Sequence, residues 1–147
     1  MTQIFTRSFL WLAIIFVLGS CVEDSDVNAD LLNKRWQLTS VGEFPILASS
    51  FFQDSQSYIQ FEAAGNKLQG LSACDEIGGQ FSFNAGTKTL TITQLTVKQG
   101  TCSSPVVGGH YLLALPQIRR YEQDGNTLRL YDATQSTLPR LTFRADD

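Results

Sequence analysis

Apolar positions follow three different rhythms along this chain. The first is an unbroken run of ten residues, Phe9 to Leu18. A membrane-spanning helix needs roughly 20 such residues, so this run is too short to be kept as a span. Arg7 precedes it with no acid before it, and the small residues Gly19 and Ser20 follow. A basic start, a short apolar core and small residues at a cut mark a secretory signal, here residues 1–20.

The second rhythm has period two. Arg35 to Val41 sets Trp36, Leu38 and Ser40 against Gln37 and Thr39, the mark of a half-buried strand. Similar short segments recur at Ser57–Glu62, Lys67–Ser72, Gln80–Asn84 and Thr89–Leu95. Three more lie at Arg119–Gln123, Thr127–Asp132 and Leu138–Arg144, the last with Leu138, Leu141 and Phe143 as its apolar members. Turn-forming triplets separate them at Ala64-Gly65-Asn66, Asn84-Ala85-Gly86 and Asp124-Gly125-Asn126. Gly70 inside a strand predicts a bulge or the close approach of another backbone. Glu43 to Ser57 keeps no period and reads as a long loop. Cys74 to Gly79, ending in a Gly-Gly pair, reads as a tight irregular turn.

The third rhythm is helical. Val107, Tyr111, Ala114, Leu115 and Ile118 share one face at i, i+4, i+7, i+8 and i+11. Ser104 suits the N-cap and Pro105 the first helical position. Pro116 removes a backbone donor and clashes with the carbonyl of Leu112, so the helix stops or kinks by Leu115. Many short strands and one main helix predict an α+β domain, mainly antiparallel β, built as a meandering sheet or partly closed barrel.

Val22 to Asp30 has four acids in nine residues and too few apolar side chains for a core. Residues 21–30 are therefore a solvated acidic tether, and residues 31–147 form a single domain. Removing residues 1–20 costs only Arg7, which moves the net charge from −3 to −4. That acidity argues against a nucleic-acid partner, which requires a basic face.

The residues give little sign of catalysis. His110 is the only histidine, and no Gly-x-Ser-x-Gly turn accompanies it. Asp75 and Glu76 are adjacent, so in a strand they face opposite ways. No phosphate-cradling loop and no calcium loop is present. No catalytic residue, cofactor or metal ligand is assigned. Of the three cysteines, Cys74 and Cys102 form an even pair, and a bond between them closes a 29-residue loop. Two buried thiols are the alternative. A metal site is disfavoured, because neither cysteine has a second Cys or His near it.

Two resemblances add to these readings. Leu18-Gly19-Ser20-Cys21 resembles the lipobox of bacterial lipoproteins, in which the cysteine receives a diacylglycerol before cleavage. It implies that Cys21 is lipidated and holds the mature chain to a membrane of the bacterial envelope, with its domain periplasmic or at the surface. Two or more acyl chains anchor stably. Glu23, Asp24 and Asp26 loosely match a surface-export signal, and a plain spacer is the simpler reading.

The domain resembles the META, or HslJ-like, family over about Leu31 to Phe143. The match rests on Trp36-Gln37-Leu38, Tyr111-Leu112-Leu113-Ala114-Leu115, Tyr121, Asp124-Gly125-Asn126-Thr127-Leu128 and Leu130-Tyr131-Asp132. Ser72-Ala73-Cys74-Asp75 stands where the family has Gly-Cys-Asn, and Gln99-Gly100-Thr101-Cys102 where a Thr-rich stretch ends in Met-Ala-Cys. Asp75, Lys98, Gly100 and Gly108 depart from the usual residues. The resemblance implies that Cys74 and Cys102 flank one end of the sheet, within reach of a disulfide. It implies links to stress and envelope integrity, with no defined reaction. The expected function is a non-enzymatic, membrane-anchored module with an envelope protein partner. The alternative is a lipocalin-like carrier of a small apolar ligand.

Overall fold

A computed structural model describes residues 30–47, 56–101 and 106–146. The signal, Cys21, most of the acidic tether, Phe51-Phe52, Cys102 and the Ser104-Pro105 cap lie outside the described residues. Among the described residues there are nine strands: β1 (Arg35–Val41), β2 (Phe44–Pro45), β3 (Tyr58–Glu62), β4 (Lys67–Ser72), β5 (Asp75–Asn84), β6 (Thr89–Lys98), β7 (Arg120–Asp124), β8 (Thr127–Tyr131) and β9 (Leu141–Ala145). The helix α1 (Val106–Ala114) lies between β6 and β7 and runs into a 3-10 turn at Leu115–Gln117. Pro116 sits in that turn, where its missing N–H is not needed by an α-helical ladder.

All pairings are antiparallel. The strands follow chain order, β1 pairs with both β3 and β9, and the sheet closes into an eight-stranded barrel with β2 as a flap on β1. Closure removes the exposed sheet edges that invite aggregation. The seam between β6 and β7 is thin. It holds one paired position, Thr89 opposite Arg120, flanked by Leu90 N–H donating to Arg119 O and Tyr121 N–H donating to Lys88 O. The helix and its turn occupy the chain between these two strands and seat Leu115 and Ile118 in the core.

Alternation puts the apolar set inside. Trp36, Ile59, Phe61, Leu90, Leu128, Leu130, Leu141 and Phe143 are fully buried. The aromatics pack on one another: Phe61 and Phe81 meet edge to face at 5.1 Å, and Tyr111 and Phe143 at 6.0 Å. Trp36 donates its indole N–H to Leu31 O at 3.0 Å, which fixes the start of the domain.

Three expectations are corrected. Asp75 to Gly79 is strand, and the tight turn is Ala73-Cys74, with Ser72 opposite Asp75. Ala73 takes a left-handed φ of 56° there. The Gly-Gly pair serves a bulge between Gly78 and Gln80, where a Cβ on Gly79 would press on Thr93 O at 3.0 Å. In β1, register against β9 shifts between Leu38 and Ser40, so Val41 rather than Ser40 is the third buried position. The last strand starts at Leu141, and Leu138 is exposed on the loop before it. Gly70 matches its expectation, since a Cβ there would overlap Tyr58 O.

Candidate functional site

The barrel has two dissimilar ends. Arg35, the β3–β4 turn, the β7–β8 hairpin tip and Asp146 after β9 gather at one. Asn33 N–H donates to Phe61 O, Ala145 N–H to Asn126 O and Asp146 N–H to Arg35 O. The described residues begin at this end, at Asp30 and Leu31. β1 runs from it to Val41 at the other end, where the β1–β2 hairpin, the helix and the loop before β9 meet.

The helix is held at that far end by polar contacts from its buried side. Tyr111 is fully buried and donates its hydroxyl to Tyr58 O at 3.2 Å. Burial, and secondarily Tyr58, raise its pKa well above the usual tyrosine value. Ser72 donates its hydroxyl to Gly108 O at 3.0 Å. With Tyr111 and Leu115 turned inward, His110 and Leu113 are left outward.

Between this helix and the β1–β2 hairpin runs an open groove of about 550 Å3. Val41, Phe44 and Pro45 form one apolar wall, and Val107, Leu113 and Ala114 the other. His110, Gln117 and Arg140 supply the polar rim. The hairpin is fixed by Gly42 N–H to Arg140 O and Ile46 N–H to Thr39 O, each at 2.8 Å. Its turn needs a glycine, because Gly42 adopts φ +56°.

Phe44 is 74% exposed and Leu113 66%. Leu138, 58% exposed, shares a second recess with Phe44 and Arg140, and Leu47, 71% exposed, lies just beyond β2. Three of the five large exposed hydrophobics among the described residues, Phe44, Leu113 and Leu138, thus line this groove or the recess beside it. Scattered exposed apolar side chains are ordinary, but a contiguous patch with a polar rim marks a binding surface.

Asp132 braces the loop beneath the groove. Its carboxylate accepts from Thr134 Oγ1, from Thr134 N–H at 3.0 Å and from Arg140 Nε at 2.6 Å. The Thr134 and Arg140 hydrogen bonds hold its pKa below the ordinary carboxylate value. The pair is unequally exposed: the Asp132 side chain is 9% accessible and that of Arg140 52%.

The residues singled out in the sequence fall in different places. His110 lines the groove on the exposed helix face. Asp75 and Glu76 do not converge. Asp75 accepts the Gly100 N–H at 2.8 Å, and Glu76 pairs with Lys98 at 3.0 Å across the strands. A Cβ on Gly100 would overlap Cys74 O, so the end of β6 crosses directly over the Cys74 turn. No group of three or more His, Cys, Asp or Glu side chains suited to a metal occurs among the described residues. Phe44, Leu113 and Arg140 were not candidates in the sequence. Their one signal is phase, since Leu113 is a large apolar residue on the outward face of the helix.

The fold and the groove define a small closed antiparallel β-barrel capped at one end by a single helix. The chain belongs to the META domain family, whose model matches residues 29–145. Two solved structures share the fold. One is a protein from Burkholderia xenovorans, solved by NMR, with 18% identity and a TM-score of 0.59 over 83% of this chain and 87% of that one. The other is the crystal structure of a DUF4847 family protein from Bacteroides vulgatus, with 13% identity and a TM-score of 0.54 over 81% and 95%. No curated protein matches the chain.

Proposed function

We propose that this protein is a lipid-anchored, non-enzymatic module of the bacterial envelope that binds a protein partner in the groove between the β1–β2 hairpin and α1, in support of envelope stress tolerance. The observation that carries the reading is the cluster of Phe44, Leu113 and Leu138, large apolar side chains left exposed at one end of a barrel whose interior is packed with aromatics. Leaving them in water is unfavourable by roughly 1.5–3 kcal/mol per side chain relative to full burial, which a partner's surface recovers. The packed interior favours this groove, rather than the barrel lumen of a lipocalin-like carrier, as the binding element. The Lipobox-like Leu18 to Cys21 supports the anchor. The test is chemical crosslinking in intact envelopes followed by mass spectrometry, comparing wild type with Leu113→Asp. A discrete protein adduct that disappears in the folded variant is expected. Adducts unchanged by Leu113→Asp would remove the groove from the account.

A further inference from the structure

Resting on that reading of the groove, we propose that the partner presents a short apolar segment flanked by acidic side chains, which Arg140 and His110 receive at the rim. The inference comes from how charge is distributed around the apolar walls. Among the described residues, Arg140 is the one Lys or Arg lining the groove, and no Asp or Glu lines it. Glu43 lines the neighbouring recess rather than the groove.

Arg140 has a counter-ion, but the two charges are not equally available. Asp132 is turned into its own loop, where Thr134 N–H, Thr134 Oγ1 and Arg140 Nε occupy its oxygens. With that side chain 9% accessible and Arg140 52%, an approaching chain meets the guanidinium and not the carboxylate. The bond through Nε also fixes the guanidinium plane, and a fixed planar fork recognises carboxylates better than a mobile ammonium does. His110, exposed on α1, adds a further nitrogen donor to the same rim. An apolar centre with a polar rim is the common anatomy of a protein interface, and rim charge selects among partners. A lysine-flanked segment would bring its ammonium groups against Arg140.

The test uses three synthetic peptides with one shared Leu/Phe core, flanked by glutamates, lysines or serines. Each is titrated against the mature chain in zwitterionic nanodiscs, with empty nanodiscs as the blank. The expected result is binding of the glutamate-flanked peptide about 10-fold or more tighter than the lysine-flanked one. Arg140→Gln should abolish that preference, and Arg140→Lys should keep a reduced one. Circular dichroism must show the variants folded, and the lysine variant keeps the charge if the glutamine variant does not fold. Leu113→Asp should weaken all three peptides. Equal binding of the three peptides, still blocked by Leu113→Asp, would overturn the acidic partner and leave the groove reading standing. Binding insensitive to Leu113→Asp, or no binding at all, would overturn both.

Discussion

At the scale of single residues, side chains with a packing role were the most legible and those with a site role the least. Trp36, Phe61, Phe81, Tyr111 and Phe143 fell on the correct face because strand and helix periods dictate it. Leu113 and Phe44 escaped notice because a lone apolar residue out of phase carries no periodic signal. Asp132 escaped for another reason. Its partners Thr134 and Arg140 sit two and eight residues on, in a loop without a period. The loop supplies a pH-dependent prediction. Because its hydrogen bonds depress the Asp132 pKa, the ionised carboxylate stabilises the fold above the unfolded-state value of about 3.9. That contribution is lost as pH falls through the lower folded-state value. Asp132→Asn should therefore lower the melting temperature at pH 7, and the gap from wild type should narrow progressively below pH ~4. A gap that stays constant into strong acid would show that the charge on Asp132 does no stabilising.

At the scale of elements, alternation located eight of the strands, all but the two-residue β2, while turn chemistry misplaced one boundary. Gly78-Gly79 looks like a turn, but the glycines serve a bulge in β5, and the turn falls at Ala73-Cys74, where a non-glycine residue takes φ 56°. Nothing local announces that choice, because it is set by pairing β5 with β4 and β6 together. The helix stopped where Pro116 required. What holds it is a tertiary contact outside any sequence pattern, the Tyr111 hydroxyl on Tyr58 O. Tyr111→Phe should cost about 1 kcal/mol, the net value of a typical hydrogen bond. Burial raises the folded-state pKa of Tyr111 above the unfolded value of about 10, so stability is intact below pH 10 and is lost as pH rises further. The phenylalanine variant should lose less stability between pH 10 and 12 than wild type. Equal alkaline losses, followed by chemical denaturation at each pH, would show that Tyr111 is not the group responsible.

At the scale of the molecule, the antiparallel class and a partly closed barrel were legible, but the strand pair that closes it was not. The β1–β9 pairing joins segments about a hundred residues apart, and only the complete sheet specifies it. The same closure creates two ends, which places the groove opposite the end where the described chain begins at Asp30. Two predictions concern the mature molecule as a whole. Cys21→Ala should abolish incorporation of labelled palmitate, and continued labelling of that variant would refute the anchor. Gly100, two residues before Cys102 in sequence, lies over Cys74 and is pinned by Asp75. A Cys74–Cys102 bond closing that loop should contribute about 2–4 kcal/mol. Thiol titration of the unreduced Cys21→Ala protein should find no free thiol, and two free thiols would refute the bond.

The central claim is that the helix-capped end, opposite the β7–β8 hairpin tip, is the surface that meets a partner. It is tested most directly by placing a photo-crosslinking amino acid at Leu113 and, separately, at Asn126 on the opposite hairpin tip, then irradiating whole cells. The account predicts a discrete protein adduct from Leu113 and none of the same mass from Asn126. The same adduct from both ends, or an adduct from Asn126 alone, would contradict it.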